Sequence, residues 1–137
     1  MAANTSPIFA AKGSITFSGA VTAANTAKDG TGTVNLIETA PVDGAFVQGI
    51  RFKSRGVNVA SFVRVFITMN GDPTVAANNA MWDEIALPAT ALSEVAAQPV
   101  LYMPMNIVLP GTFRIYWALA TAVAGGWQAM TVAGDYS

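Results

Sequence analysis

The 137-residue chain carries 7 Lys+Arg against 8 Asp+Glu, a formal net charge of −1, and has neither His nor Cys. The missing imidazole and thiol exclude Ser-His-Asp and Cys-His catalysis, disulfides, and thiolate or imidazole metal sites. The near-neutral balance leaves no overall basic footprint for nucleic acid.

Charged residues make up 11% and 25 residues are Ala, whereas soluble domains average about 25% charged residues. Interface cores are depleted in charge, so this composition points to a surface partly hidden in an assembly. The length fits one domain. The most apolar stretch, Val100 to Leu109, is interrupted by Pro104 and Asn106, short of the roughly 20 apolar residues that span a membrane. MAANTSPIF has no basic segment followed by an apolar one, so no secretory signal is read here. No cofactor and no metal are expected.

Residues 1–12 (MAANTSPIFAAK) lack alternation and read as an N-terminal arm, leaving 13–137 as one domain. Ser14–Ser18 is a weak strand. Asn25–Gly32 (NTAKDGTG) is a loop around the turn dipeptide Asp29-Gly30. Thr33–Glu38 is a second weak strand, closed by the Pro41–Gly44 turn. From Phe46 to Lys53, Ile50 and Phe52 point one way and Arg51 and Lys53 the other. From Ala60 to Met69, Val63, Val65, Ile67 and Met69 share a face, opposite Phe62, Arg64, Phe66 and Thr68. Asn70-Gly71-Asp72-Pro73 ends that strand. Met81–Leu87 and Val100–Val108 are further weak strands, and Pro88–Gln98 between them suits either a helix or an extended loop. Thr112–Leu119 and Trp127–Ala133 alternate clearly, separated by Gly125-Gly126.

About eight short strands with regular turn signals predict an all-β, antiparallel sandwich of jelly-roll or Greek-key type. Two of them, Ala60–Met69 and Thr112–Leu119, are apolar on both faces. Their second face packs on a neighbouring subunit or lies under a loop or the arm of the same chain.

Candidate sites are few. Arg51, Lys53 and Arg55 fall at i, i+2 and i+4, so a strand sets them on one face. Arg64 joins them if it lies on a neighbouring strand. The stripe is either solvated, paired with Asp83 or Glu94, or a contact for an acidic partner. Asp83 and Glu84 are adjacent and point to opposite faces, so they make no carboxylate pair. Lys28 precedes the glycines of its loop, which is no phosphate cradle. Trp117 and Trp127 sit in alternating strands and are expected in the core. Trp82, beside the Asn-rich Ala76–Ala80, is the candidate exposed ring for stacking on a sugar.

NTSPIF (Asn4–Phe9), AANTAKDGTGTV (Ala23–Val34), IRFKSRGVNVASFVRVFI (Ile50–Ile67) and DEIALPATALSE (Asp83–Glu94) together resemble small virion proteins of tailed bacteriophages. So do Leu109-Pro110 and Gly134–Tyr136. The resemblance spans nearly the whole chain and is strongest to capsid decoration, or cement, proteins. It implies a non-enzymatic sandwich on the virion's capsid surface, made in the bacterial host cytoplasm. It also implies a homo-oligomer, such as a trimer, that bridges major capsid protein subunits, with no nucleic acid or membrane partner. On this reading Pro7, Ile8 and Phe9 latch onto the shell or a neighbour, and Arg51, Lys53 and Arg55 meet an acidic shell surface. The alternative is a glycan-binding module of a tail fibre or baseplate, with Trp82 as its platform.

Overall fold

The computed structural model of the chain describes residues 9–69 and 71–137. Its strands are β1 (Lys12–Ser14), β2 (Asn35–Thr39), β3 (Ala45–Ser54), β4 (Ser61–Thr68), β5 (Asn79–Leu87), β6 (Val100–Leu109), β7 (Arg114–Leu119) and β8 (Trp127–Asp135). They form two four-stranded antiparallel sheets, β1-β8-β3-β6 and β2-β7-β4-β5. This is the expected all-β sandwich. Pairing is nested: β1 with β8, β2 with β7, β3 with β6 and β4 with β5. Cross-pairs β3·β8 and β4·β7 join these into the two sheets.

Pro88–Gln98 forms no helix. Pro88 and Pro99 bound it, and Thr90 bridges to Asn58 in extended form. A single 3₁₀ turn, Ala76–Asn78, is the one helical element among the described residues. None there is long and apolar enough to cross a membrane. Ala11 and Lys12, placed in the arm by their lack of alternation, already pair with Asp135.

The core lies between the sheets. Ile50, Phe52, Trp127 and Ala129 from one sheet meet Val63, Val65, Ile115, Trp117 and Leu119 from the other. Phe52 and Trp117 contact edge to face, ring centroids 5.5 Å apart. Both tryptophans expected inside are fully buried. Bulges adjust the alternation. In β3 the register slips at Gln48, so buried positions move from Ala45 and Val47 to Ile50 and Phe52. In β2 a slip at Ile37 turns both Ile37 and Glu38 inward. Edge strands carry devices that disfavour pairing with other chains: Pro104 on β6, and on β5 a bulge at Trp82 followed by two acids.

The second apolar face of β4 and β7 is covered by the chain itself. Residues 15–24 run along the β8 edge, bridging at Phe17↔Met130 and Val21↔Trp127. They then pass to the other sheet at Ala24↔Leu119. The Asn25–Gly32 loop that follows lies on that sheet. Asn25 Nδ2 donates to the carbonyls of Thr31 (2.8 Å) and Thr33 (2.9 Å), holding the loop closed. Asn79 Nδ2 donates to Asp29 O at 3.0 Å, tying the loop to β5. Beneath it Arg64, Phe66, Thr68, Tyr116 and Ala118 are buried. Of the two covers expected for this face, the intrachain loop is present over β4 and β7.

One end of the sandwich is held by a single side chain. The two N–H groups of Asn58 Nδ2 are shared among Ser54 Oγ, Thr90 Oγ1 and the carbonyls of Gly56 and Gly126, all within 3.3 Å. Its Oδ1 accepts from the N–H groups of Gly125 (2.9 Å) and Gly126 (2.8 Å). Three loops, β3–β4, β5–β6 and β7–β8, meet there. Gly56 and Gly125 make this possible, since a Cβ on Gly125 would lie 2.6 Å from Gly56 Cα. Because stranded buried donors and acceptors cost about 1–3 kcal/mol apiece, Asn58→Ala should lower unfolding free energy by about 3 kcal/mol. Urea denaturation at constant m-value checks this. A loss under about 1 kcal/mol would show that water replaces the side chain.

Candidate functional site

With β4 and β7 covered on one outer face, the other outer face is the more open among the described residues. The β8-β3-β6 surface is built of cross-strand rows. Val108, Phe46 and Gly134 form one row; Pro104, Gly49 and Val132 the next; then Tyr102, Arg51 and Met130; then Val100, Lys53 and Gln128. Phe17 extends the Arg51 row through its bridge to Met130. Five large apolar residues here are well exposed: Phe17 66%, Val108 60%, Val100 43%, Tyr102 42% and Phe46 37%. A contiguous apolar face of this kind marks an interaction surface rather than scattered surface residues. The hydroxyl end of Tyr102 lies over Gly49: a Cβ there would come within 2.4 Å of the ring carbon Cζ. The glycine thus seats the ring on the sheet.

Arg51, Lys53, Val100, Gln128 and Met130 line a cavity of about 320 Å³ on this face. Lys53 Nζ donates to Gln98 O at 2.5 Å and Arg55 Nη1 to Gln128 Oε1 at 2.8 Å. The structure therefore brings Arg51, Lys53 and Arg55 together. Among the described residues none of the three has a carboxylate within ion-pair distance.

Arg64 does not join them. It sits on β4 in the other sheet, 5% exposed under the Asn25 loop. Its Nε pairs with Glu84 Oε1 at 3.2 Å and its Nη1 donates to Asn25 O at 3.2 Å. Its guanidinium lies 4.6 Å from the Phe62 ring centroid. Spacing alone gives a residue's face, not its sheet. Glu84 thus serves Arg64, and the pairing of the stripe with Asp83 or Glu94 is not found.

Trp82, the bulged residue of β5, is 38% exposed. Asp83 and Glu84 follow it, opposite Val65 and Arg64. Tyr116, Trp117 and Trp127 are buried, which removes them from any ring platform. Phe9 is 78% exposed, while Pro7 and Ile8 lie outside the described residues.

A second cavity, about 380 Å³, opens between β1 and β2, with Glu38 and Asp135 on its rim. The buried Glu38 Oε2 accepts from Thr16 Oγ1 (2.8 Å) and Thr131 Oγ1 (2.9 Å). These bonds satisfy a carboxylate that the β2 bulge turns inward. No group of three metal-ligating side chains occurs among the described residues. In two loops an aspartate caps its own turn. Asp29 and Asp72 accept from the hydroxyl and N–H of Thr31 and Thr74, which holds both carboxyls below the usual aspartate value. Neither borders the open face.

No protein-family model and no curated protein matches the sequence. A solved structure, a chain of a "Cyanophage Pam1 capsid asymmetric unit", is similar over 98% of this chain and 94% of its own. The identity is 16% and the TM-score 0.42. At that score the likeness is coarse, and the functional argument rests on the chain's own surface.

The two classes of arginine predict different behaviour. Arg64→Ala removes a buried charge together with its bonds and should cost about 2–3 kcal/mol, moderated by the half-exposed Glu84. Arg51→Ala, at an exposed position, should change stability by less than about 0.5 kcal/mol. Paired denaturation curves check this. Equal losses would mean that Arg51 also supports the fold.

Proposed function

We propose that this chain is a structural, non-enzymatic virion protein. It binds the outer surface of a phage capsid and stabilises it by bridging major capsid subunits. The observation that carries the reading is the asymmetry of the sandwich. The Asn25–Gly32 loop covers β4 and β7 on one outer face, and the other face is, among the described residues, open, apolar and edged by three bases without acidic partners. The nested pairing and sheet order support a jelly-roll reading, an architecture common to viral capsid and lectin domains. Fold alone does not assign function. The viral context comes from the sequence resemblance.

The mechanism is mass action. A protein that binds only the assembled shell stabilises it by RT ln(1 + [L]/Kd). Contacts repeated over a shell multiply the effect through avidity. The basic row meets acidic shell surface, and the arm, in which Phe9 is exposed, latches onto the shell or a neighbour.

An immunogold label or particle map of the intact virion should place the protein on the head exterior. Removing residues 1–9 should weaken shell occupancy and leave the circular dichroism spectrum unchanged. A label confined to the tail overturns the reading, and unchanged occupancy of the truncated protein overturns the arm's role.

The half-exposed Trp82 favours a second reading, a glycan-binding module of a tail fibre or baseplate. Host saccharide should then quench tryptophan fluorescence, and Trp82→Ala should abolish the change. Binding unaltered in Trp82→Ala removes this reading.

A further inference from the structure

The cavity of about 380 Å³ between β1 and β2 differs in chemistry from the basic row. Two acids, Glu38 and Asp135, line it with the hydroxyls of Ser14 and Thr39 and the apolar side chains of Phe17 and Leu36. Glu38 is 3% exposed. Both hydrogen bonds to its carboxylate, from Thr16 and Thr131, fall on Oε2, so among the described residues Oε1 takes none. Asp135 Oδ1 is closed off from water and has no hydrogen-bond partner. No Lys or Arg among the described residues lies within ion-pair distance of either acid. Lys12 stands across from Asp135 on β1, but its side chain is exposed and makes no such pair. In a native protein a buried acceptor without a partner points to a bound water or ion. Two carboxylates on one cavity make its potential negative, which favours a cation.

We propose that this cavity binds a primary alkylammonium group. Its N–H donors meet Glu38 Oε1 and Asp135 Oδ1, and its methylenes lie on Phe17 and Leu36. Three features select this chemistry. An ammonium has three diverging donors, which suits single oxygens offered by two different side chains. A guanidinium fork takes both oxygens of one carboxylate, and here Glu38 Oε2 is already held by two threonines. Calcium takes about six to eight oxygens, and the apolar part of the lining supplies none. Phe17 and Leu36 are 66% and 47% exposed, so an alkyl stem takes apolar surface out of water while its head reaches the acids. Glu38 is fixed in advance, because Thr16 and Thr131 reach it from two separate segments. A preformed acceptor lowers the ordering cost of binding. The proposal does not depend on the shell reading.

Nuclear magnetic resonance of the full chain, titrated with n-pentylammonium chloride at constant ionic strength, tests it. The amide resonances of Thr16, Glu38 and Asp135 should shift and saturate. n-Pentanol, with the same stem and no charge, should leave them in place. Glu38→Gln and Asp135→Asn should each raise the dissociation constant at least about tenfold. Near-ultraviolet circular dichroism establishes that each variant is folded. Asp135→Asn, at a partly exposed position, keeps the test valid if Glu38→Gln does not fold. Nα-acetyl-lysine methylamide separates the two sources of the group. Binding as tight as that of pentylammonium assigns the cavity to a lysine side chain of a partner protein. Binding of pentylammonium alone assigns it to a free amine. Shifts that do not saturate or that spread away from the cavity overturn the proposal. So do equal binding of pentanol, unchanged affinity in both variants, or calcium chloride moving these resonances where pentylammonium does not. Binding seen only in Lys12→Ala also overturns it, since the chain's own lysine would then be the occupant.

Discussion

A two-layer sandwich has four sheet faces and can bury only two of them against each other. What becomes of the outer two is the constraint on which this structure turns. Arg64 shows how one was resolved. A guanidinium on the outer face of β4 would ordinarily stay in water. Here the chain between β1 and β2 is laid over it. Its charge is met by Glu84, an Nη1–H donor by the Asn25 carbonyl and its flat face by Phe62. Desolvating one charge costs several kcal/mol, so a cover over Arg64 holds only with all these partners in place. Among the described residues the opposite sheet has no such cover over Tyr102, Val100 and Val108, which stay exposed.

The open face is nonetheless ordered. Its residues stand in register because the bulges in β3 and β6 reset the alternation near Gly49. Without the slip, either Phe46 or Arg51 would point into the core. Tyr102 is pinned above the glycine at the same place. Two cations, two apolar walls and an amide are therefore held by the backbone rather than by flexible loops, which favours precise recognition. Burial of Trp117, Trp127 and Phe52 makes that backbone rigid.

Much of this was legible in the residues. Alternation located β4, β7 and β8, and marked both buried tryptophans. The i, i+2, i+4 spacing of Arg51, Lys53 and Arg55 placed them on one face. What escaped was non-local. A bulge such as that at Gln48 leaves no mark in composition, and it inverts which parity is inside. Arg64 has the same strand parity whether it joins the basic row or lies on the opposite sheet, because strand order across a sandwich is not a local property. Phe66 and Tyr116 read as an unsatisfied second face because their cover, around Asn25, comes from about forty and ninety residues away. Pro88–Gln98 had helical composition, yet the backbone of Thr90 is taken up by Asn58. Of the candidate cavity, only its cations were visible; Met130, Val100 and Gln128 are brought to them by pairing.

The nested pairing also sets the order in which the chain can fold. The innermost ribbon, β4 with β5, closes across a short connection, and each ribbon outside it closes a longer loop. Among the described residues β1 pairs only with β8, more than a hundred residues away. Folding dominated by such distant pairs is slow. During synthesis, β1 and the bridges of Phe17 and Val21 must wait until residues 127–135 have left the ribosome. β1 is therefore made early and placed last. A nascent chain of this kind has a long interval in which it is open to capture by chaperones or by its own neighbours.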